Sequence, residues 1–304
     1  MRIILPGSNL AAGNFFAVPR IGLSQGVMQM ICVWDPFIHI LPPRIGCELD
    51  ALGRESLQEL RLRIHQPPEL VLQETTLRLS NPVTREDLSF CINRACQYSP
   101  WAASTMAMGY FTLPGGHRMG ICGETVCEKG SAVTFRCIHS LNIRIARDFP
   151  GLAGEDIPNS GSVLIIGPPG WGKTTLLRDL ARRTAQFHTV AVVDERSELF
   201  PPGLTRGNRM DVLSGCGKGV GIEMVLRTMG PSYIAVDEIT GEADGQALLQ
   251  AAGCGVNLLA TAHASCVQDL YRRPAYARLM EKNLFPTVLV MHRDKSYHWE
   301  RLPA

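Results

Sequence analysis

The sequence lacks several features that mark large classes of proteins. Its ten cysteines never form a C-x-x-C pair and lie mostly within apolar runs, which favours reduced, buried thiols over disulfides or a metal site. It has no run of about twenty apolar residues, so it predicts no membrane-spanning helix. The first 35 residues contain no compact apolar core followed by a cleavage site, so they predict no signal peptide. These absences favour a cytoplasmic protein.

The chain is also poor in net charge and in aromatic residues. Thirty Lys and Arg residues oppose 28 Asp and Glu residues, giving a net charge of +2, and aromatic residues make up 7% of the chain. Proteins that run along single-stranded nucleic acid present a basic groove studded with aromatic side chains. The composition therefore disfavours nucleic acid as a partner, although it leaves a local basic patch open.

Residues 1–35 have no pattern that assigns a structure. The stretch from 21 to 34 is apolar but interrupted by Gly and Gln. It fits an adhesive tail, a segment lying on a surface, or translated sequence upstream of the true start, with Met28 and Met30 as later candidates. The structural predictions therefore begin near Asp35, and the chain length favours about two domains.

Residues 36–150 predict a small α+β domain. Charged and apolar residues alternate over 59–64, which is typical of a half-buried strand, and Thr84 with Asp87 is typical of a helix start. The predicted elements are helices at 47–57, 84–97 and 100–109, strands at 59–64 and 69–75, two short strands around a glycine turn within 110–123, and strands at 133–138 and 141–146.

Two pairs of basic residues lie near the end of this domain. His117 and Arg118 stand beside the glycine turn, where they would contact nucleotide or a neighbouring subunit, or belong to a solvated or locally paired loop. Arg144 and Arg147 have the same two interpretations. Proline and glycine within residues 148–154 predict a hinge before the second domain.

A glycine-rich loop organises residues 151–304. It follows the apolar residues 163–166 and precedes an amphipathic stretch. The loop consists of Gly167, Pro168, Pro169, Gly170, Trp171, Gly172, Lys173, Thr174 and Thr175. Strand, glycine-rich loop and helix in this order predict a phosphate-binding loop, in which backbone N–H groups and the helix N-terminus surround a phosphate. Lys173 is expected to reach the outer phosphates, and the Thr174 hydroxyl to ligate Mg²⁺.

Three further apolar runs, 189–193, 233–236 and 256–260, predict strands of a parallel sheet that is covered on both faces. Polar residues follow each run, and the carboxyl ends of such strands line the ligand crevice. Asp237 is the expected Mg²⁺ ligand, and Glu238 or Glu195 would orient or deprotonate an attacking water. His263 either senses the γ-phosphate, connects the site to a subunit interface, or is structural.

Phosphoryl transfer to water is helped by an arginine aimed at the developing charge. The candidates are Arg196, Arg206, Arg209 and Arg227, and the alternative for each is an arginine of the solvated surface. Residues 201–221 are rich in glycine and predict a mobile loop that projects into the next subunit. Residues 285–301 predict a hairpin at an antiparallel sheet edge.

Several motifs occur in a fixed order. They are Gly-Gly-His-Arg-Met-Gly at 115–120, Leu-Asn-Ile-Arg-Ile-Ala-Arg at 141–147, the phosphate loop with Leu-Leu-Arg-Asp-Leu-Ala-Arg, Val-Asp-Glu-Arg-Ser-Glu at 193–198, Met-Asp-Val-Leu-Ser-Gly-Cys at 210–216 and Val-Asp-Glu-Ile at 236–239. From about Leu41 onward the chain resembles the stage III sporulation protein AA family, which is related to the ATPases of type II and type IV secretion systems. The resemblance implies a RecA-like P-loop ATPase domain preceded by a smaller α+β domain, assembled as a hexameric ring with nucleotide between subunits.

The resemblance also implies roles for single residues. Lys173 and Thr174 would bind ATP and Mg²⁺, and Asp237 with Glu238 would form the Walker B pair. Residues 194–195 would occupy the acidic box of secretion ATPases, and residues 261–263 their histidine box. One departure is Thr240-Gly241, where the family pattern has Gly-Thr.

The implied setting is the mother cell of an endospore-forming bacterium. There the protein would lie at the cytoplasmic face of the channel to the forespore, peripheral to the membrane, with stage III sporulation protein AB as membrane partner. The leading hypothesis is a Mg²⁺-dependent ATPase motor that forms homo-oligomers. Alternatives are a nucleotide-gated scaffold with little turnover, a single-stranded nucleic-acid motor, and, least favoured, a small-molecule kinase.

Overall fold

The computed structural model describes residues 30–51, 57–72, 75–97, 106, 109–128, 130–158 and 160–303. Within these residues the strands form a six-stranded sheet in the N-terminal half and a seven-stranded sheet in the C-terminal half. Residues 1–29 and most of the helix predicted at 100–109 lie outside the described residues.

The N-terminal sheet has the order β3-β2-β1-β6-β5-β4, and every neighbouring pair is antiparallel. The elements of this half are α1 Trp34–Ile38, α2 Pro43–Asp50, β1 Glu59–Arg63, β2 Glu69–Val71, β3 Thr76–Arg78, α3 Arg85–Gln97, β4 Tyr110–Thr112, a 3₁₀ helix Pro114–Gly116, β5 Arg118–Glu128 and β6 Ser131–Arg144. In β1, Leu60 and Leu62 are buried in the core while Arg63 is exposed, which confirms the predicted alternation.

The start of α3 is as predicted. The Thr84 hydroxyl accepts the N–H of Asp87 at 3.2 Å, and the Asp87 carboxylate accepts the N–H of Thr84 at 2.7 Å. The helix predicted at 47–57 was placed too late, because Pro43 opens α2 with a backbone angle that suits a first helical turn. The strands predicted at 133–138 and 141–146 are one continuous strand, β6. The short strand β3 was not predicted, since all three of its residues are exposed.

His117 lies in the core, so it neither belongs to a solvated loop nor contacts nucleotide or a neighbouring subunit, and both interpretations of this residue are wrong. Its side chain is fully buried and its ring packs against Phe37 at 5.4 Å between centroids. The Nδ1 atom accepts the N–H of Ala146 at 3.0 Å, so Nε2 carries the proton and donates to the Val33 carbonyl at 2.8 Å. Burial lowers the pKa of His117, the hydrogen bond to Val33 opposes this shift, and the charge of Arg147 adds to it.

We expect this histidine to make stability depend on pH. Because its pKa is lower in the folded chain, protonation favours the unfolded state, and stability is lost as the pH falls below the unfolded value of about 6.5. His117→Gln keeps the donor to Val33 but does not titrate. The variant should be less stable at pH 8 and lose less stability towards pH 5, measured by thermal unfolding. Equal slopes for the two proteins would contradict this prediction.

The C-terminal sheet has the order β13-β12-β7-β11-β10-β8-β9. Its elements are β7 Val163–Ile166, α4 Lys173–Thr184, β8 Val190–Asp194, β9 Met210–Ser214, α5 Lys218–Thr228, β10 Tyr233–Val236, α6 Glu242–Gly253, β11 Asn257–Ala262, α7 Val267–Arg272, α8 Pro274–Glu281, β12 Thr287–Met291 and β13 Tyr297–Arg301. All strand pairs are parallel except β12 with β13. Apolar residues of α4 pack on one face and those of α5, α6 and α8 on the other, which confirms the predicted doubly covered sheet.

One prediction for this half needs correction, and another is confirmed. Residues 201–221 are not one loop, because they contain β9 and the start of α5. The strand β9 escaped prediction because it is an edge strand whose residues are half-buried or exposed. At the other edge, β13 is antiparallel as expected, but β12 also pairs in parallel with β7.

Buried ion pairs attach the segment between the two sheets to α4. The Asp148 carboxylate accepts hydrogen bonds from Arg178 at 3.4 Å and from Arg182 at 2.6 Å. The Asp179 carboxylate accepts the N–H groups of Gly151 at 3.1 Å and Ala153 at 2.8 Å. These contacts fix the position of residues 148–153 on the helix that follows the phosphate loop. The domain boundary and the hinge near Gly151 stay predictions.

Candidate functional site

The predicted phosphate-binding loop connects β7 to α4. Gly170 and Gly172 have φ of 75° and 98°, a region that glycine adopts without strain. A side chain at Gly167 would place its Cβ 2.9 Å from Cβ of Met291 in β12, so the loop can pass this strand only with glycine there. No side chain in the described part of the chain caps the start of α4. The N–H groups of its first turn therefore remain available to bind an anion.

Lys173 is buried and makes contacts within the chain. Its Nζ donates to the Pro168 carbonyl at 3.0 Å and lies 3.1 Å from Nδ1 of His263. Burial lowers the pKa of Lys173, while the negative charges of Asp237 and Glu238 oppose that shift. The ammonium is thus held near carboxylates, in a position from which a bound phosphate could attract it.

His263 connects Lys173 to Glu238. An ammonium group can only donate, so Nδ1 of His263 accepts from Lys173 and Nε2 carries the ring proton. That Nε2 lies 3.0 Å from Oε1 of Glu238 and donates to it. The sequence placed all three residues at the crevice, and the structure joins them in one hydrogen-bonded chain.

Asp237 accepts two hydroxyl groups. Its Oδ2 accepts from Thr174 at 2.7 Å and its Oδ1 from Thr261 at 2.6 Å. Thr261 also accepts the backbone N–H of Glu238 at 2.7 Å, so one hydroxyl on β11 orients both acids. The role of Thr261 was missed, although the polar end of its strand was visible in the sequence.

The oxygens of Thr174 and Asp237 fit a Mg²⁺ ion. Both are hard donors, and Mg²⁺ is usually bound by one or two protein groups together with phosphate oxygens and water. Within the described residues no group of three or more His, Cys, Asp or Glu side chains could hold a metal ion by itself. Thr174 and Asp237 would supply the protein ligands of such an ion.

Glu238 has an uncommon backbone conformation. Its φ of 54° is left-handed, which is rare for a residue with a side chain and is found at functional sites where the surrounding structure holds it. The N–H bond to Thr261 and the contact with His263 hold Glu238 in this way. Its side chain is 40% exposed, so water reaches the carboxylate.

A small cavity opens beside these residues at the carboxyl ends of β8 and β10. It is lined by Val193, Asp194, Glu195, Arg196, Glu198, Lys218, Asp237 and Glu238. Glu195 lies 2.9 Å from Nζ of Lys218 and forms an ion pair with it. Both acids that were proposed as the base therefore face one cavity, but they have different partners.

Asp194 shapes the chain after β8. Its carboxylate accepts the N–H groups of Glu198 at 2.8 Å, Leu199 at 3.0 Å and Phe200 at 2.9 Å. Burial raises the pKa of Asp194, and these three hydrogen bonds oppose the shift. Asp194, the first acid of the predicted acidic box, therefore stabilises the backbone of residues 198–200.

Glu198 lines the same cavity and was missed as a candidate. Burial raises its pKa, and the positive charge of Arg118 opposes the shift. Nη1 of Arg118 lies 2.7 Å from Oε1 of Glu198, and its guanidinium stacks on Tyr110 with its carbon 4.2 Å from the ring centre. Arg118 therefore connects the N-terminal sheet to the edge of the cavity. This ion pair agrees with the interpretation of Arg118 as a paired residue rather than a solvated one.

The structure separates the four candidate arginines. Arg196 lines the cavity and is exposed. Arg206 is exposed after β8, and Arg227 forms an ion pair with Glu223 on α5. Arg209 precedes β9 and donates to the Phe187 carbonyl at 2.8 Å. It therefore lies at the amino ends of the strands, whereas the phosphate loop lies at their carboxyl ends. The part that any of them plays in a neighbouring subunit stays a prediction.

The turn after Glu238 accommodates the unusual Thr-Gly order. The N–H and hydroxyl groups of Thr240 both donate to Oδ2 of Asp244, at 2.9 and 2.8 Å. Asp244 lies in the first turn of α6, and Gly241 is extended before the helix. The side chain of Thr240 thus helps to begin α6 from a position outside the helix.

Solved structures with this fold include secretion and pilus ATPases. The ATPase DotB of Legionella pneumophila is 18% identical with a TM-score of 0.56, and the match covers 84% of this chain and 78% of DotB. The pilus retraction motor PilT, solved with ADP, is 14% identical with a TM-score of 0.62, covering 86% of this chain and 83% of PilT. The fold is therefore that of RecA-like P-loop proteins, as predicted.

Sequence comparison then identifies the family. The model of the family "Sporulation stage III, protein AA" matches residues 43–298. Stage III sporulation protein AA of Bacillus subtilis (strain 168) is 39% identical over 277 residues, covering 84% of this chain and 90% of that protein. Protein SEEDLING PLASTID DEVELOPMENT 1 of Arabidopsis thaliana is 30% identical over 256 residues, 79% of this chain and 35% of that protein. This chain belongs to the stage III sporulation protein AA family.

Helices that could cross a membrane are absent from the residues that the structure describes.

Proposed function

We propose that this protein binds ATP with Mg²⁺ and hydrolyses it as a motor of a sporulation channel complex. One observation carries the proposal. The phosphate loop, the Thr174–Asp237 pair and the Lys173–His263–Glu238 chain meet at the carboxyl edge of one parallel sheet. These are the groups that phosphoryl transfer to water needs.

The residues have separate tasks in this proposal. The loop N–H groups hold the phosphates, and Lys173 leaves the Pro168 carbonyl to contact them. Thr174 and Asp237 would hold a Mg²⁺ ion, which would neutralise phosphate charge when bound. Glu238 accepts a proton from the attacking water, because its carboxylate is reached by solvent and held in place by His263.

His263 gives the site a response to nucleotide. In the free chain Lys173 donates to one nitrogen of this ring, and the other nitrogen donates to Glu238. A phosphate that attracts Lys173 removes the first of these bonds. The ring keeps its bond to Glu238 but loses its donor at Nδ1, so occupation of the loop changes the surroundings of the group that holds Glu238.

We also propose assembly into a ring. Val220 and Met224 are 60% and 46% exposed one turn apart on α5, the helix that carries Arg227. Apolar surface of this kind is often covered by a partner. A neighbouring copy would bring Arg206, Arg209 or Arg227 towards the nucleotide, and stage III sporulation protein AB would hold the ring at the inner face of the membrane. Nucleotide turnover would move residues 36–150 relative to residues 151–304.

The test is ATP hydrolysis measured against protein concentration, with molecular mass measured in parallel by light scattering. We expect turnover per chain to rise as oligomers form, because an arginine supplied by a neighbour acts only in the assembly. ATP binding without turnover at any concentration would favour the nucleotide-gated scaffold. Turnover that requires single-stranded nucleic acid would contradict the channel motor.

A further inference from the structure

A buried lysine of the cavity has no role in the function proposed above. Lys218 is the first residue of α5, and its side chain is 9% exposed. The sequence has five lysines against many more arginines, and Lys218 lines the cavity. A buried ammonium group is costly unless carboxylates pair with it.

Two carboxylates from different elements surround this ammonium. Its Nζ lies 2.9 Å from Oε2 of Glu195, which follows β8, and 3.7 Å from Oδ2 of Asp244 in α6. The same Oδ2 of Asp244 accepts both hydrogen bonds from Thr240. Lys218 therefore connects the end of β8 to the turn that follows Glu238.

The glutamates that line the cavity differ in their partners. Glu195 is paired with Lys218, and Glu198 is paired with Arg118. Glu238 instead accepts a hydrogen bond from His263, and among the described residues it forms no direct ion pair with a lysine or arginine. A carboxylate that is paired with a fixed cation is a poorer acceptor for a proton than one that is not.

We propose that Lys218 is a positioning residue for hydrolysis: it pairs with Glu195 and fixes Asp244, and so leaves proton acceptance to a correctly placed Glu238. This inference rests on the proposed ATPase function. The opposing possibility is that Lys218 contacts the nucleotide itself. The two roles predict different results when Glu195 is changed, because a positioning role acts through Glu195 and a direct contact with nucleotide does not.

Removal of the ammonium should affect turnover more than binding. In Lys218→Met the unpaired Glu195 carboxylate repels the other acids of the cavity, so we expect kcat to fall about 30-fold. The KM for ATP and the affinity for a fluorescent ATP analogue should stay within about three-fold. Lys218→Arg keeps the charge and should retain more activity than Lys218→Met. Lys282→Met, at an exposed lysine after α8, is the matched control and should behave as the wild type.

A second substitution decides between the two roles. Glu195→Gln removes the unpaired charge, so Lys218→Met with Glu195→Gln should recover to within about three-fold of Glu195→Gln alone. A double variant as inactive as Lys218→Met would overturn the proposal and indicate that Lys218 contacts the nucleotide. An inactive Glu195→Gln variant would also overturn it, since Glu195 would then be the base.

Thermal unfolding of the same variants tests the ion pair between Lys218 and Glu195 without an activity measurement. Lys218→Met should lower the melting temperature, and adding Glu195→Gln should restore part of the loss. Additive effects of the two substitutions would overturn the pairing. A wild type that pairs these residues but never hydrolyses ATP would instead contradict the proposed function, so the two failures are distinguishable.

Discussion

Lys173→Ala is expected to abolish ATP hydrolysis without destabilising the protein. Removal of a preorganised cation that contacts the transferred phosphate should lower kcat/KM by about 1000-fold. The folded chain buries this ammonium at a cost in solvation, which is why burial lowers its pKa. Alanine removes that cost together with the bonds to Pro168 and His263. The melting temperature should therefore stay equal or rise.

The measurement combines steady-state hydrolysis, binding of a fluorescent ATP analogue and thermal unfolding. Lys282→Ala changes net charge by the same amount at an exposed lysine and serves as the control. Hydrolysis by Lys173→Ala within about ten-fold of the wild type would contradict the site. Loss of hydrolysis with a large drop in melting temperature would show that Lys173 supports the fold, which the geometry does not predict.

Local patterns predicted the carboxyl ends of the parallel strands well. Glycine spacing around Lys173, and polar residues after each apolar strand, are features of contiguous sequence and need no knowledge of tertiary contacts. For that reason the strands β7, β8, β10 and β11 were expected in their observed places. The orientation of Asp237 by Thr261 was not, because it requires that β10 and β11 be neighbours in parallel register.

Long-range pairs explain what the sequence could not show. Glu198 gains its role from Arg118, which is 80 residues earlier in the chain. Lys218 follows β9, which pairs with β8 beside the cavity, and β9 has the weak apolar pattern of an edge strand. His117 looked like a loop residue since its acceptor on Val33 is 84 residues away. The surroundings of each of these residues depend on contacts between distant parts of the chain, and the local spacing of apolar residues does not reveal such contacts.

Glu238→Gln is expected to separate binding from hydrolysis. Glutamine has the same size, and its side-chain oxygen can still accept from His263, so the hydrogen-bonded chain to Lys173 is retained. The variant cannot take a proton from water at neutral pH. We expect kcat to fall at least about 100-fold, while the affinity for a fluorescent ATP analogue stays within about three-fold.

The other glutamates of the cavity provide the comparison for this variant. Glu195→Gln and Glu198→Gln each break an ion pair, with Lys218 and Arg118, so they should reduce turnover less than Glu238→Gln. Glu281→Gln, at the exposed end of α8, controls for loss of one charge. If Glu238→Gln stays active while Glu198→Gln is inactive, the base is Glu198, and its raised pKa becomes the relevant property. If Glu238→Gln alone is inactive and still binds nucleotide, the Glu238 carboxylate beside His263 is the proton acceptor.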